Sequence, residues 1–227
     1  MRMSLMLRCG LVAVLAVLDA GVSAAEGLRL ELDKQQSYIA AMVDKQGFLT
    51  VFGAGHKHGV LATEWSADVC LDKEQPRNSR ARFTIPARSL VIDTPEARKR
   101  AGLEPDGPSE KDVREIQAKM VGPEVLAVEK FGEISFQTTE LAASRDGRWD
   151  WRGSITIRGV TKSAAIPVKV ESAEGRQYHL SGSFTVKQSE FGITPISIAG
   201  VVKVKDEVEI RFDLLGSLTS QACPSTP

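Results

Sequence analysis

From Trp149 to Lys162 the chain reads WDWRGSITIRGVTK, and its side chains alternate in character with a period of two. Trp149, Trp151, Ile155 and Ile157 share one parity; Arg148, Asp150, Arg152, Ser154, Thr156 and Arg158 share the other. An extended strand sends successive side chains to opposite faces, so this stretch is a strand with one apolar and one wet face. It stops at Gly159, and a second alternating run (Ala164, Ile166, Val168, Val170) follows a few residues later. That is the pattern of a β-hairpin. An isolated hairpin is marginal in water, so its apolar face must join a lining supplied by other strands.

The same alternation recurs along most of the chain. Leu28 to Asp33 carries Leu28, Leu30 and Leu32 on one face, and Thr63 to Leu71 alternates through Trp65, Ala67, Val69 and Leu71. Arg80 to Arg88 sets Ala81, Phe83, Ile85 and Ala87 against Arg80, Arg82, Thr84 and Arg88. Ile134 and Phe136 face in from Glu133 to Thr139, and Tyr178, Leu180, Phe184 and Val186 from Tyr178 to Val186. In Val208 to Leu214, Val208, Ile210, Phe212 and Leu214 oppose Glu207, Glu209, Arg211 and Asp213. Phe48 to Phe52 is expected to be extended, whereas the pattern of Ser37 to Val43 fits either a strand or a short helix.

Residues 93 to 130 interrupt the alternation and are punctuated by Pro95, Pro105, Pro108 and Pro123. Ser109 followed by Asp112 resembles a capping box, Val113, Ile116 and Met120 fall at helical spacing, and Gly122-Pro123 is a stop signal. One helix of about three turns is expected there. With no βαβ rhythm the strands should be antiparallel. About eight of them suit a closed barrel, which leaves no open edge. The expected fold class is therefore all-β: an antiparallel β-barrel with one short helical insert. Such a barrel is either filled by side chains or holds one small guest. Inward small residues (Ala67, Ala81, Ala87, Gly153, Ala164, Gly182) are compatible with both outcomes.

Residues 1–25 read as a cleaved signal peptide: Arg2 and Arg8, an apolar run from Leu11 to Leu18, then Ser23-Ala24-Ala25. Residues 26–227 form one domain, and export to the periplasm is expected. Lys plus Arg and Asp plus Glu number 29 each, so no net field draws the chain to nucleic acid or an anionic membrane. No later segment is apolar enough for a transmembrane span. Cys70 and Cys223 remain after cleavage, which permits one disulfide; nothing in the spacing decides whether it forms.

Residues 153 to 170, GSITIRGVTKSAAIPVKV, resemble the G-x-L-T-I-x-G-V-T-K hairpin of the YceI-like family. Ser89-Leu90-Val91-Ile92-Asp93-Thr94, the Ile134-Ser135-Phe136 strand, and Lys187-Gln188-Ser189-Glu190-Phe191-Gly192-Ile193 (similar to R-S-D-F-G-I) extend the likeness over roughly residues 28 to 216. The resemblance implies a lipocalin-like periplasmic barrel whose apolar cavity binds a polyisoprenoid or similar amphiphile, with no catalytic centre and no cofactor. The family's F-x-x-x-x-Y-P segment is replaced by Val125-Leu126-Ala127-Val128-Glu129-Lys130-Phe131-Gly132, so a different cavity mouth is expected. Ligand-lining candidates are Phe83, Ile85, Phe136, Ile155, Ile157, Phe184, Phe191 and Phe212. The expected partner is an isoprenoid-like lipid, and a homodimer is possible.

Other constellations in the sequence offer competing chemistry. His56 and His58 would point the same way on a strand and could share a metal, but only two ligands can be named where catalytic zinc usually has three. Solvated loop histidines, or a polar pair at the mouth, are the other readings. His179 shares its parity with water-facing residues. Ser189-Glu190 has no neighbouring histidine, and Asp93 and Glu96 beside Pro95 suit a turn or helix start. Arg80, Arg82 and Arg88 form an outer basic row suited to solvation or a partner contact. Neither a catalytic residue nor a metal site is expected. The alternatives are a metal-dependent protein built on His56 and His58, and a filled barrel that binds a protein partner.

Overall fold

In the computed structural model, residues 27–46, 56–72, 75–143, 148–172, 176–198 and 202–223 are described. The expected signal peptide and Phe48–Phe52, expected to be extended, lie outside the described residues. The strands are β1 (Leu28–Leu32), β2 (Tyr38–Gln46), β3 (His58–Ala62), β4 (Ser66–Leu71), β5 (Arg80–Pro86) and β6 (Leu90–Ile92), then β7 (Glu133–Ala143), β8 (Arg148–Ile157), β9 (Val160–Ser172), β10 (Gln177–Lys187), β11 (Ser197–Ile198) and β12 (Val202–Ala222). Two short helices, α1 (Pro95–Arg100) and α2 (Glu110–Val121), fill the insert between β6 and β7. Ser37 to Val43 is therefore a strand, not a helix.

All pairings are antiparallel, and they close. The ring runs β1-β4-β5-β7-β8-β9-β10-β12, and β12 pairs back to β1. β12 is long enough to carry two partners on one edge: Lys203–Asp213 face β2 and Gly216–Ala222 face β1. β1 and β2 thus lie end to end beside β12, as one strand broken by a turn at Asp33. The partners β4 and β3, and beyond them β5 and β6, are broken at the same level. The result is an eight-strand, up-and-down antiparallel barrel.

Local chemistry accounts for the joints. The β8–β9 turn puts Arg158 (φ 51°) and Gly159 (φ 72°) both in the left-handed region, the type I′ combination that matches strand twist. α2 is capped as its sequence indicates: Ser109 Oγ accepts from the Asp112 N–H and donates to Asp112 Oδ2. The expectation of a single helix is corrected by α1. Thr94 Oγ1 caps it by accepting from the Ala97 N–H, and Pro95 supplies a preset φ at its start. Arg88 leaves the basic row, because Ala87–Ser89 is a 3₁₀ turn, and it pairs with Glu129 instead. The far edge of β6 meets the Gln117 side chain from α2. Gln117 Oε1 accepts from the Ile92 N–H, and Gln117 Nε2 donates to the Leu90 carbonyl, so one amide stands in for a neighbouring strand.

Cys70 and Cys223 form a disulfide with Cα atoms 6.0 Å apart. Among the described residues, no helix is long and apolar enough to cross a membrane.

Candidate functional site: an apolar cavity through the barrel

The inward faces do not meet across the middle. A chamber of about 90 Å³ lies among Phe83, Phe136, Trp151, Ile155, Ile166, Phe184, Phe212 and Leu214. A second, of about 170 Å³, lies between the β2 and β3 walls (Ala40, Ala41, Val43, Val60, Ala62) and a roof. The roof is Met120 from α2, Val125 and Leu126 after it, and Phe191 and Ile193 after β10. Ile39, Ile85, Ile134 and Ile210 line both chambers and form a waist between them. Apart from Ser135 in the first chamber and Gln188 in the second, every lining residue is apolar. A hollow of this character excludes water and accepts an apolar guest.

The structure brings all eight candidate residues to this lining. Phe83, Phe136, Ile155, Phe184 and Phe212 are in the first chamber, Ile157 and Phe191 in the second, and Ile85 at the waist. Within the roof, Met120 comes from the expected helix and Phe191 is an expected lining residue, whereas Val125 and Leu126 lie in an irregular segment with no periodic signal. This is the segment where the family motif is replaced. The turn Gln188–Phe191, followed by Gly192 at φ 70°, swings Phe191 to 2% exposure beneath it.

The volume does not come from the six small residues expected to leave it; Ala40, Ala41 and Ala62 are the small residues in the lining. Ala67, Ala81, Ala87, Gly153, Ala164 and Gly182 line neither chamber. At Gly153 a Cβ would fall 2.1 Å from the Gln137 carbonyl oxygen, and at Gly182 it would fall 2.7 Å from the Phe212 ring. Small side chains here let neighbours approach closely, while branched Ile side chains hold the walls apart.

The histidines do not assemble. His56 is exposed, and His58 Nδ1 lies 2.6 Å from Asp93 Oδ2. His179, on the outer wall, sits 3.0 Å from Asp213 and 3.4 Å from Glu171. Among the described residues, no three His, Cys, Asp or Glu side chains are grouped to hold a metal ion.

Asp93 instead organises the insert. Its side chain is fully buried and its φ is 52°. It accepts from the Gly59 N–H and from Arg98, while Arg98 also donates to the carbonyls of Lys57, Glu104 and Asp106. Burial pushes the Asp93 pKa up, but the bonds from His58, Gly59 and Arg98 outweigh it and hold the carboxyl below its ordinary value. Because the folded value lies below the unfolded one, the stabilisation is complete above the unfolded pKa of about 4 and is lost as pH falls through the folded value. Urea unfolding across the acid range should show stability declining below about pH 4, with a shallower decline in Asp93→Asn. Equal slopes for the two proteins would remove Asp93 from this role.

A YceI-like domain pattern matches residues 30–215. The fold is similar to BcnA of Burkholderia cenocepacia, with a TM-score of 0.61 and 18% identity over 82% of this chain and 99% of that one. It is similar also to a polyisoprenoid binding domain from Saccharophagus degradans, with a TM-score of 0.54 and 12% identity over 85% and 99% of the two chains. The YCEI protein of Campylobacter jejuni gives a TM-score of 0.53 and 13% identity over 71% and 85%. No curated protein matches the chain. Likenesses at these identities are likenesses of fold, and the domain match covers most of the sequence; the chain belongs to the YceI-like family.

Proposed function

We propose that this protein is a periplasmic binding protein that carries or sequesters a long-chain, isoprenoid-like amphiphile, without catalysing a reaction on it. The observation that carries the reading is the pair of apolar chambers inside the barrel, with four isoleucines as their shared wall. A tail gains about 0.8 kcal/mol for each buried methylene. Association costs at least about 4 kcal/mol before any net affinity appears. Four methylenes therefore do not suffice, and a chain long enough to pass the waist does. The polyisoprenoid binding domain of similar fold supports the choice of an isoprenoid tail. Export is supported by the basic and apolar residues of the first 25 positions and by the Cys70–Cys223 bridge, which persists in an oxidising compartment.

The test is chemical. Protein purified from producing cells without detergent should yield, on organic extraction and mass spectrometry, a long-chain amphiphile in near-stoichiometric amount. An empty extract, combined with no uptake of an added long-chain alcohol, would overturn the reading.

A further inference from the structure

The barrel wall is not evenly sealed. β9 and β10 pair only where Lys169–Ser172 face Tyr178–Ser181. Beyond that point β9 stays paired to β8 through Val160, and β10 stays paired to β12 through Lys187. Among the described residues, their facing edges have no ladder partner there. Pro167 stands where the ladder ends, and proline has no N–H to extend it.

One ring reaches the start of this seam. Gly182 pairs with Phe212 across the β10–β12 ladder. A Cβ at Gly182 would meet Phe212 Cζ at 2.7 Å and the Pro167 carbonyl oxygen at 2.4 Å, so the ring lies over the glycine at the ladder's end. Phe212, itself half-buried, lines the inner chamber and also an outer groove that includes Arg148, Lys169, Arg211, Ser181 and Ser183. Phe212 is the one described residue that borders both the inner chamber and this groove.

The roofed end is fastened more firmly. Arg158 Nη1 donates to the Gly192 carbonyl at 2.6 Å and Nη2 to the Pro123 carbonyl at 3.1 Å, tying together the two segments that supply the roof. Exit there breaks charge-assisted hydrogen bonds, whereas rotating Phe212 breaks none.

We propose that the amphiphile enters and leaves sideways between β9 and β10, that Phe212 is the gate, and that the polar head rests in the outer groove. The inference rests on the carrier reading above. The groove's cations are largely matched: Arg211 bonds Glu209 at 2.8 Å, Lys169 bonds Glu171 at 2.8 Å, and Asp213 lies alongside. With charges balanced and the hydroxyls of Ser181 and Ser183 at hand, the groove fits an uncharged, hydrogen-bonding head such as an alcohol.

Stopped-flow fluorescence with a pyrene-labelled long-chain alcohol tests this on the full mature chain. Phe212→Ala should raise the association rate about tenfold even though it removes a lining contact, and Phe212→Trp should lower it. A residue that only lines the cavity would change release and leave association alone. Arg158→Ala should leave the association rate within about twofold. Faster association in Arg158→Ala, with Phe212→Ala and Phe212→Trp unchanged, would move the entrance to the roof and overturn the side route while leaving the carrier reading intact. Failure of the wild-type protein to take up the probe sinks the carrier reading and the route with it.

Discussion

Ile85→Trp is expected to weaken binding of a long-chain alcohol by about 100-fold while leaving a short ligand that fits one chamber nearly unaffected. Ile85 belongs to the walls of both chambers, with Ile39, Ile134 and Ile210. An indole at that shared wall fills the space that a tail spanning both chambers has to cross. A tail confined to one chamber returns several methylenes to water, and four of them amount to about 3 kcal/mol, or roughly 150-fold in affinity. Overpacking the site should cost about 1–3 kcal/mol of stability, so the variant remains folded. Calorimetric titration with ligands of increasing length separates the outcomes. Unchanged long-chain affinity in a folded variant would mean that the tail does not pass Ile85.

Reduction of Cys70–Cys223 is expected to destabilise the barrel by roughly 4–5 kcal/mol, since the bridge closes a loop of 153 residues. In a domain of this size that lowers Tm on the order of 10 °C. Its position makes the bridge more than a tether for the tail. β1 is only five residues long and closes the ring by pairing with β4 on one side and β12 on the other. Cys70 pairs with Arg29 of β1, and the Cys223 N–H donates to the Gly27 carbonyl, so the disulfide joins the strands flanking the start of β1. Thermal unfolding with and without reductant, and of Cys70→Ser/Cys223→Ser, measures the effect. A shift of less than about 2 °C would show that the β1 pairings close the ring unaided.

Alternation revealed the strands wherever one face meets the cavity and the other meets water, as in β5, β8 and the middle of β12. It failed where both faces are covered. Tyr38 of β2 lies under Arg100 of α1, 4.5 Å from its ring, while the next residue, Ile39, lines both chambers, so polarity does not alternate there. α1 itself, PEARKR, has no apolar stripe. It is held by the polar bonds of Arg98 to Asp93 and to the carbonyls of Lys57, Glu104 and Asp106, contacts through irregular segments that leave no periodic trace. The eight lining residues were found because each sits on, or just beyond, an inward parity. Val125, Leu126 and Ile193 were missed because irregular backbone aims them. The seam at Pro167 and the plug of Phe212 over Gly182 depend on where a ladder stops, which no single strand's pattern records.

The most direct test is a crystal structure of the protein saturated with a long-chain alcohol. The account predicts continuous density for the tail from beside Phe136 and Phe184, past Ile85 and Ile210, to beneath Phe191. Density confined to the outer surface, or chambers closed by side chains with no room for a tail, would contradict it.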